Sequence, residues 1–588
     1  MIRKPDRGRR RLVRGGALVA GAAAIGPVPM LAAAQPAQPW HREADVIVVG
    51  SGAAGFAAAL FARNAGADVL MLEKGPAPGG TTIRSGGVHF IPNNHLLRAA
   101  GLSESRDDFL RLMVRVTYPE RYHPDLPNFG ADTADFALLD AFYQAAAPTI
   151  EQLEQIAGFR YMLLREQDGE FFPDNFVELP ENRCPRGRSI VCVPESVEPG
   201  RYYYPGGGGL GVDLVALLRG AANRQRVPIL TRHEVVRLVA NAHGAVIGVV
   251  AGTRDGERWF RARRGVVFGS GGYLHNAALR QAYLPARVYG GCGSPINQGT
   301  LLNLAGGAGA ALGNLDNAWW KEVLLEEAVL SSDTPTGIWV APGDSTLMVD
   351  RYGNRFCNEK NQPGGRPQHH FEWDPVRVEY PRLVTFLIWD ERAVELFGGI
   401  YGIQQKQGDL PAHVISGKDL ASLADNIAAR LARFAEHTGG FTLDEEFAEQ
   451  LPRTVARYNA FAREGKDADF HRGDAAADRA WHFYGGVPVV PNPHPNPLMH
   501  PLCEQGPYYA ALIVAGAIDT KGGPRINPNA QVLKQDGSVI AGLYGAGNCI
   551  AHLSAGTYWG GGGTIGPAVV FGALAGAHAA GSAPNADG

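Results

Sequence analysis

The chain has few cysteines, no metal-binding histidine pattern and little net charge. Six cysteines in 588 residues, without C-x-x-C or C-x-x-C-H spacing, exclude a disulfide scaffold and haem attached through that motif. Its 17 histidines show no H-x-x-x-H or H-E-x-x-H spacing, so no metal site is predicted. The net charge of −3 gives no reason to expect a nucleic-acid partner. With 45% hydrophobic residues, the chain is expected to be globular.

Glycine, in contrast, is abundant. The chain contains 76 glycines in 588 residues, above the usual share of about 7%, and they show no three-residue period of the collagen type. Glycine serves tight turns and places where the backbone approaches a ligand closely. This composition therefore favours a fold with extensive backbone contact to a bound molecule.

The first 34 residues predict a twin-arginine signal peptide. Arg9-Arg10-Arg11-Leu12-Val13 precedes a weakly apolar stretch that runs to Met30, and Ala32-Ala33-Ala34 is typical of a cleavage site. The apolar stretch is shorter than the ~20 residues of a membrane-spanning helix and contains two prolines. We therefore expect an exported protein, located in the periplasm or outside the cell.

A dinucleotide-binding pattern follows the leader. Residues 44–49 predict a strand that leads into Gly50-Ser51-Gly52-Ala53-Ala54-Gly55, after which a helix and a second strand, 67–72, end at Glu73. In such a βαβ unit the glycines allow a tight turn and close approach of the pyrophosphate, which binds at the helix N-terminus. An acid at the end of the second strand accepts hydrogen bonds from a ribose.

Further glycine-rich segments favour FAD over NAD. They lie at 79–87, 265–272, 543–548 and 560–568, and the last precedes an apolar helix that extends to about residue 580. Their distribution predicts that distant parts of the chain surround one long cofactor. Non-covalent binding is expected, since the segment from Thr81 to Arg84 offers no histidine for a covalent bond to the flavin. The residues predicted to bind FAD are Gly50, Gly52, Ala53, Ala54, Gly55, Glu73, Lys74, Gly79, Gly80, Thr81, Thr82, Ser85, Gly86, Gly87, Val235, Gly269, Gly271, Gly547, Asn548, Gly563, Thr564 and Ile565.

Several motifs resemble those of flavoproteins grouped with fumarate reductase, and most closely the 3-ketosteroid Δ1-dehydrogenases. The similarity extends over about 43–580. The motifs that carry it are Arg84-Ser85-Gly86-Gly87, Gly271-Gly272-Tyr273-Leu274-His275-Asn276, Asp316-Asn317-Ala318-Trp319-Trp320, Asp469-Phe470-His471-Arg472-Gly473, Asp519-Thr520-Lys521-Gly522-Gly523 and Thr557-Tyr558-Trp559-Gly560 through Ala568. Fold and cofactor alone do not fix the substrate.

The resemblance implies an α/β fold with two domains. A Rossmann-like FAD-binding domain is expected at 42–285 and 505–582, and an α+β substrate domain at 286–504 is inserted between its two parts. The stretch 118–205, with three tyrosines at 202–204 beside the glycines at 206–209, is least similar to the family. It is interpreted as either a lid over a pocket or a surface loop.

The family also implies catalytic residues. Tyr558 and Gly562 match a tyrosine hydroxyl and a glycine N–H that hold the oxygen of a substrate ketone, and such donors stabilise negative charge that develops on that oxygen. Tyr143 is expected to support the general base, with Tyr118 as a weaker alternative. Trp319 and its neighbour Trp320 are interpreted either as an apolar wall of the substrate site or as ordinary core.

The general base itself is missing from its usual place. In the family a tyrosine follows an Arg-Phe-x-Asn-Glu segment, whereas here that segment, 355–359, is followed by Lys360-Asn361-Gln362-Pro363-Gly364. Neither Pro363 nor Gly364 can accept a proton. Either His369, His370 or Tyr401 replaces the tyrosine, or the reaction differs.

Desaturation of a cyclic or steroid-like ketone next to its carbonyl is the favoured function. Electrons then pass to an external acceptor, either a quinone or a c-type cytochrome. A fumarate-type reductase is disfavoured, since the turn at 555–559 offers a tyrosine where a carboxylate requires an arginine. Two alternatives stay open: an enone or enoate reductase fed by a separate cytochrome, and a flavin-bearing electron carrier without turnover. Peripheral contact with a membrane also stays open, although no basic amphipathic helix indicates it.

Overall fold

The computed structural model describes residues 32–33, 40–194, 210–334, 337–338, 340–361, 364–484 and 487–584. Apart from Ala32 and Ala33, the predicted signal peptide lies outside these residues, so export stays a prediction. Tyr202 to Gly209 also lie outside them. No helix within the described ranges is long and apolar enough to cross a membrane.

Strands and helices alternate along much of the chain. The strands are β1 (Ala32–Ala33), β2 (Arg42–Val49), β3 (Val69–Leu72), β4 (Val88–Phe90), β5 (Phe159–Leu163), β6 (Ser189–Pro194), β7 (Ile229–Leu230), β8 (Glu234–Ala240), β9 (Val246–Thr253), β10 (Gly256–Phe268), β11 (Leu312–Gly313), β12 (Ala318–Leu324), β13 (Thr346–Val349), β14 (Val384–Asp390), β15 (Ile415–Gly417), β16 (Tyr508–Thr520), β17 (Gly523–Pro524), β18 (Gln531–Leu533) and β19 (Val539–Gly545). The helices are α1 (Ala53–Asn64), α2 (His95–Ala99), α3 (Arg106–Thr117), α4 (Thr133–Ala157), α5 (Leu210–Arg224), α6 (Ala277–Tyr283), α7 (Thr300–Gly307), α8 (Leu325–Leu330), α9 (Glu391–Phe397), α10 (Leu420–Arg433), α11 (Ala435–Thr438), α12 (Phe447–Glu464), α13 (Ala476–Phe483) and α14 (Ile565–Gly581).

A large sheet contains the predicted βαβ unit. Strand β2 pairs in parallel with β3 on one side and with β10 on the other, and β10 also pairs in parallel with β19. Strands β8 and β9 continue the sheet antiparallel beyond β10. Because β10 lies between β2 and β19, the two ends of the domain meet at one strand. The predicted α/β fold with a Rossmann-like cofactor domain is confirmed.

Helices α1 and α14 pack against each other beside this sheet. A side chain at Gly572 or Gly576 of α14 would overlap the backbone of α1, since an added Cβ would fall 2.3 Å from the Ala54 carbonyl oxygen and 2.1 Å from that of Ala58. The two helix backbones therefore approach closely, which requires the small residues that both helices supply. This contact fixes the N-terminus of α14 near that of α1.

A second sheet lies in the central part of the chain. Strand β16 pairs antiparallel with β12, β14 and β15, and β13 pairs with β14. Strand β16 begins after the expected boundary at 504/505, so the last strand of this sheet comes from the segment assigned to the second part of the FAD domain. Helix α7 belongs to the segment assigned to the substrate domain, yet its Leu301, Leu304 and Ala305 pack in the core of the large sheet. The domain boundaries stay predictions.

The described part of 118–205 is largely regular. It contains α4, which packs on α3 and α14, and the strands β5 and β6, which form a three-stranded sheet with β4. Residues 133–163 form a helix and a strand, so they are neither a lid nor a surface loop. The tyrosine- and glycine-rich end of this segment lies outside the described residues.

Candidate active site

A cavity at the carboxyl ends of β2, β3 and β10 collects most of the residues predicted to bind FAD. Its walls come from distant parts of the chain, at 49–54, 72–85, 233–235, 269–271, 296–300, 518–519, 546–548 and 564–568. The predicted residues that line it are Gly50, Gly52, Ala53, Ala54, Glu73, Lys74, Gly80, Thr81, Thr82, Ser85, Val235, Gly269, Gly271, Gly547, Asn548, Thr564 and Ile565. We call this space the FAD cavity.

Five predicted cofactor residues do not line the FAD cavity. Gly55 packs on the turn before α1, where an added Cβ would lie 2.1 Å from the Gly50 carbonyl oxygen. Gly79 donates its N–H to the Ser51 hydroxyl at 3.2 Å, and the Gly563 N–H donates to the Gly560 carbonyl at 3.0 Å. Gly86 and its neighbour Gly87 line a different, adjoining cavity. These five glycines shape loops near the FAD cavity but do not form its walls.

Both helix N-termini at the FAD cavity suit negatively charged or polar cofactor groups. Helices α1 and α14 begin beside the cavity, neither is capped by the side chain of its own N-cap residue, and neither has an acidic residue in its first turn. At α1 the Thr82 hydroxyl accepts only the first N–H, that of Ala53, at 2.9 Å. The N–H groups and the partial positive charge of a helix N-terminus attract phosphate and carbonyl oxygens. The arrangement fits a pyrophosphate at α1 and a flavin carbonyl at α14.

Glu73 fits the ribose contact that its position predicts. Its Oε2 accepts hydrogen bonds from the Ser51 N–H at 3.0 Å and from the Ser51 hydroxyl at 2.5 Å, while its Oε1 accepts from the Gly75 N–H at 2.6 Å. These bonds fix the carboxylate at the cavity wall, and Oε1 keeps a further lone pair for a ligand hydroxyl. The residues present therefore fit FAD.

Asp519 is a cavity residue to which the sequence analysis gives no role. It is fully buried and accepts hydrogen bonds from the Gly272 N–H at 3.0 Å and from the side-chain amides of Asn297 at 2.6 Å and Asn548 at 3.4 Å. Burial raises the pKa of Asp519 to about 6. Asp519 thus joins three segments that surround the flavin end of the cavity. Its position in the Asp519-Thr520-Lys521-Gly522-Gly523 motif was the available signal.

A second cavity, of about 720 Å³, adjoins the FAD cavity, and we call it the substrate cavity. The two share Thr81, Ser85, Ile518, Thr564 and Ile565. Predicted catalytic residues Tyr558 and Gly562 both line the substrate cavity. Its volume falls within the ~300–1,000 Å³ typical of small-molecule sites.

Tyr558 is held as a neutral hydrogen-bond donor. Burial raises its pKa well above the ordinary tyrosine value, so the hydroxyl keeps its proton. Among the described residues, no group forms a hydrogen bond with this hydroxyl. The backbone beside it is fixed, because the Lys521 ammonium donates to the Thr557 carbonyl at 2.8 Å and the Asn175 amide donates to the Tyr558 carbonyl at 2.7 Å. Tyr558 can therefore present its O–H to a ligand.

Trp319 and Trp320 lie in two different places, and neither lines the substrate cavity. Trp319 is buried, donates its indole N–H to Asn548 at 2.9 Å and packs edge-on against Tyr558 with ring centroids 5.6 Å apart. Trp320 packs on Phe371 elsewhere in the core. Trp319 therefore supports Tyr558 from behind, and the core interpretation describes both tryptophans better than the wall interpretation.

Gly562 occupies a position that only glycine can take without strain. Its φ is +89°, and an added Cβ would lie 2.4 Å from the backbone of His89. Its carbonyl accepts the Phe90 N–H at 3.1 Å and the Gly566 N–H at 2.9 Å. These contacts fix the backbone four residues from Tyr558, at the wall of the same cavity.

The structure does not bring Tyr143 to the substrate cavity. Its hydroxyl donates to the Glu104 carbonyl at 2.6 Å, and its ring packs against Phe109, because helix α4 turns this side towards α3. The expectation that Tyr143 supports a base in this cavity receives no support from this position. Tyr118 also lies away from the substrate cavity and lines a third one beside α3.

Of the three proposed substitutes for the missing base, only Tyr401 lines the substrate cavity. His369 is partly exposed and its Nδ1 lies 2.6 Å from a Glu372 carboxylate oxygen. His370 is buried elsewhere, where its Nδ1 donates to the Arg382 carbonyl at 2.6 Å. The cavity also contains Tyr484 and His413, which the sequence analysis does not identify.

Tyr401 has an unusual backbone conformation for a residue with a side chain. Its φ is +44°, and it lies between two glycines, Gly399 and Gly402, with φ of +86° and +95°. The His413 Nε2 donates to the Gly402 carbonyl at 2.9 Å and so fixes this turn. Non-glycine residues with positive φ are uncommon and concentrate at functional sites.

The described residues offer no candidate metal site. Across the described ranges, no group of three or more His, Cys, Asp or Glu side chains is arranged to hold a metal ion.

Known proteins with similar sequences and structures are flavoenzymes. Residues 45–565 match the FAD binding domain family. The chain is 32% identical to a 3-oxosteroid 1-dehydrogenase of Mycolicibacterium smegmatis, over 91% of this chain and 96% of that protein. It is also 32% identical to a 4-oxocyclohexanecarboxylate 2-dehydrogenase of Sinomonas cyclohexanicum, over 92% of this chain and 94% of that protein.

A solved structure agrees with these relatives. The 3-ketosteroid delta1-dehydrogenase from Sterolibacterium denitrificans, in complex with 1,4-androstadiene-3,17-dione, superimposes with a TM-score of 0.75 and 26% identity. The match covers 92% of this chain and 99% of that one. The chain therefore belongs to the FAD binding domain family and is an FAD-dependent oxidoreductase that acts on CH–CH bonds.

Proposed function

We propose that the enzyme desaturates a cyclic or steroid-like ketone at the bond between its α and β carbons. The observation that carries this proposal is the shared position of Tyr558 and Gly562 at the substrate cavity, next to the FAD cavity. Two relatives with 32% identity are named as dehydrogenases of cyclic ketones.

The chain's own residues would polarise the ketone. The Tyr558 hydroxyl and the Gly562 N–H donate to the carbonyl oxygen, where negative charge develops as a proton leaves the α carbon. Bound FAD supplies the acceptor for the hydride that leaves the β carbon. A separate base must accept the α proton.

A dicarboxylate substrate is disfavoured by the charges of the substrate cavity. Arg84 is the only arginine or lysine among its described lining residues. Its guanidinium is already paired with Asp333, at 2.5 and 3.2 Å, and also donates to the Gly293 carbonyl at 3.2 Å. Two carboxylates would need additional cations to replace their hydration. An uncharged ketone suits this cavity better.

Anaerobic addition of a 3-ketosteroid should test the proposal directly. We expect the absorbance of oxidised flavin to fall as the ketone donates a hydride, and mass spectrometry should detect the conjugated enone. Cyclohexanone serves as a small comparison substrate. If the flavin is instead reoxidised by enone and never reduced by ketone, the enzyme is an enone reductase. If neither reaction occurs and no turnover is measured with artificial acceptors, the protein is an electron carrier.

We propose further that Tyr401, as its phenolate, accepts the proton from the α carbon and becomes the neutral phenol. It lines the substrate cavity with Tyr558, and both pack against the small core around Trp481. The turn at Gly399–Gly402 holds Tyr401 in its strained conformation, as expected for a residue whose side chain must keep one orientation. Tyr484 packs against the same core and is the nearest competitor.

Tyr401→Phe should therefore slow flavin reduction by the ketone by about a hundredfold, because a positioned base typically contributes ~10²–10⁴. Tyr484→Phe is the matched control, since it removes the same hydroxyl from the same cavity. Stopped-flow absorbance under anaerobic conditions measures both rates. A large effect of Tyr484→Phe together with a small effect of Tyr401→Phe would transfer the role to Tyr484.

A further inference from the structure

A third cavity, of about 850 Å³, lies on the other side of Tyr558 and has no role in the chemistry above. Its walls are formed by the end of α3 and the residues that follow it, by the first turns of α4, by the segments 525–537 and 551–558, and by single residues from the central part of the chain. Tyr558 is the only described residue that lines both this cavity and the substrate cavity.

Three side chains in contact, those of Asn548, Trp319 and His552, connect the FAD cavity with this cavity. Trp319 donates to Asn548, which lines the FAD cavity, and its ring lies 4.8 Å from that of His552, which lines the third cavity. Electron transfer between two bound molecules weakens steeply with distance. The three contacting side chains give a continuous path through the protein between the two occupants.

The lining of the third cavity combines buried apolar residues with buried polar ones such as Thr117 and His552, and it is charged at its mouth. Its buried apolar residues are Val116, Leu138, Ile526 and Leu553. Its exposed rim includes Glu120, Arg525, Lys534 and Gln535. A flat ring with polar oxygens, followed by a tail that reaches the rim, matches this distribution. A haem protein is too large to enter and could only rest on the surface.

We propose that the third cavity binds the electron acceptor and that this acceptor is a quinone. The proposal rests on the proposed function, which requires an external oxidant. In the step, the reduced flavin gives two electrons and one proton to the quinone, a second proton comes from solvent, and the products are oxidised FAD and hydroquinone. A separate cavity lets reoxidation proceed while the substrate cavity exchanges product for ketone.

Ala134→Trp should test this assignment. Ala134 is exposed in the first turn of α4 and lines the cavity, so an indole there narrows the mouth without disturbing the core. Gln144→Trp, exposed on the same helix but away from the cavity, is the matched control. Gln535→Trp narrows the mouth from a segment outside α4. It therefore tests whether the effect of Ala134→Trp comes from the cavity rather than from a change in α4.

The holoenzyme is first reduced with one equivalent of dithionite, without ketone, and then mixed with 2-methyl-1,4-naphthoquinone in a stopped-flow instrument. We expect Ala134→Trp and Gln535→Trp to slow reoxidation at subsaturating quinone by at least about tenfold, and Gln144→Trp to stay within about twofold of wild type. Unchanged reoxidation in both cavity variants would overturn the proposal. Competitive inhibition of reoxidation by the ketone or enone would also overturn it, because the quinone would then enter the substrate cavity.

The same measurement separates this inference from the proposed function. Dithionite reduces the flavin whether or not any ketone does, so the quinone step is measured independently. A protein that no ketone reduces, but whose reoxidation slows in the cavity variants, would contradict ketone desaturation and retain the acceptor site. Flavin reduction by ketone should be unchanged in all three variants.

Discussion

Gly52→Val is expected to give a folded protein that has lost its flavin. Gly52 precedes α1 and lines the FAD cavity, and its φ of −76° and ψ of −175° are accessible to valine. An added Cβ would lie 3.3 Å from the Thr82 hydroxyl oxygen, so the valine methyl groups would occupy space that the pyrophosphate requires. We expect FAD affinity to fall at least a hundredfold, or about 2.7 kcal/mol, and activity to disappear with it.

The ratio of flavin absorbance to protein absorbance measures the cofactor content, and far-UV circular dichroism checks the fold. Gly220→Val is the matched control, because Gly220 lies in α5 away from the FAD cavity and an added Cβ there would meet only the Arg224 side chain at 3.4 Å. The control should remain yellow. Full flavin occupancy in Gly52→Val would show that the pyrophosphate does not pass over this residue.

Tyr558→Phe is expected to slow flavin reduction by the ketone by about 10²–10³, which corresponds to ~2.7–4 kcal/mol for one donor to a developing oxyanion. The change removes a hydroxyl that has no hydrogen-bond partner among the described residues, so little stability should be lost. The ring keeps its contact with Trp319. Because the donor acts most strongly on the charged transition state, the rate constant should fall more than the affinity for the ketone.

Anaerobic stopped-flow absorbance over a range of ketone concentrations separates these two quantities. Tyr509→Phe is the matched control, since it removes a hydroxyl that donates to Glu391 at 2.9 Å, outside all three cavities. If the Tyr558→Phe enzyme is reduced by the ketone at the wild-type rate, Tyr558 does not take part in the reaction. An equal loss in both variants would indicate a general effect on the fold.

The sequence predicts the cofactor domain well because its signals are local. A β-branched run, three spaced glycines and an acid at the next strand end lie within 30 residues, and the structure places β2, α1 and β3 there within a few positions. The segments 265–272 and 543–548 were also predicted beside the cofactor, and β10 and β19 pair in parallel at that point. Strong local patterns thus translate directly into elements.

The substrate cavity is less predictable, since its residues meet only through long-range packing. Helix α4 has tyrosine at position 143, but its sequence does not say whether that side faces α3 or the cavity, and the structure places it against Phe109. Tyr484 follows a short helix without any recognisable motif, yet tertiary packing places it against the same small core as Tyr558. Asp519 appears in a motif, but its hydrogen bonds to Asn297 and Asn548 span 222 and 29 residues.

The pairing of β10 with both β2 and β19, together with the close contact of α1 and α14, has a consequence for biosynthesis. While the ribosome is still translating the central segment, the nascent chain lacks part of the flavin end of its cofactor groove. The residues of the FAD cavity between Gly547 and Ile565 are translated near the end of the chain. Tight capture of FAD must therefore wait until translation is nearly complete, and a messenger truncated before this region would yield only colourless product.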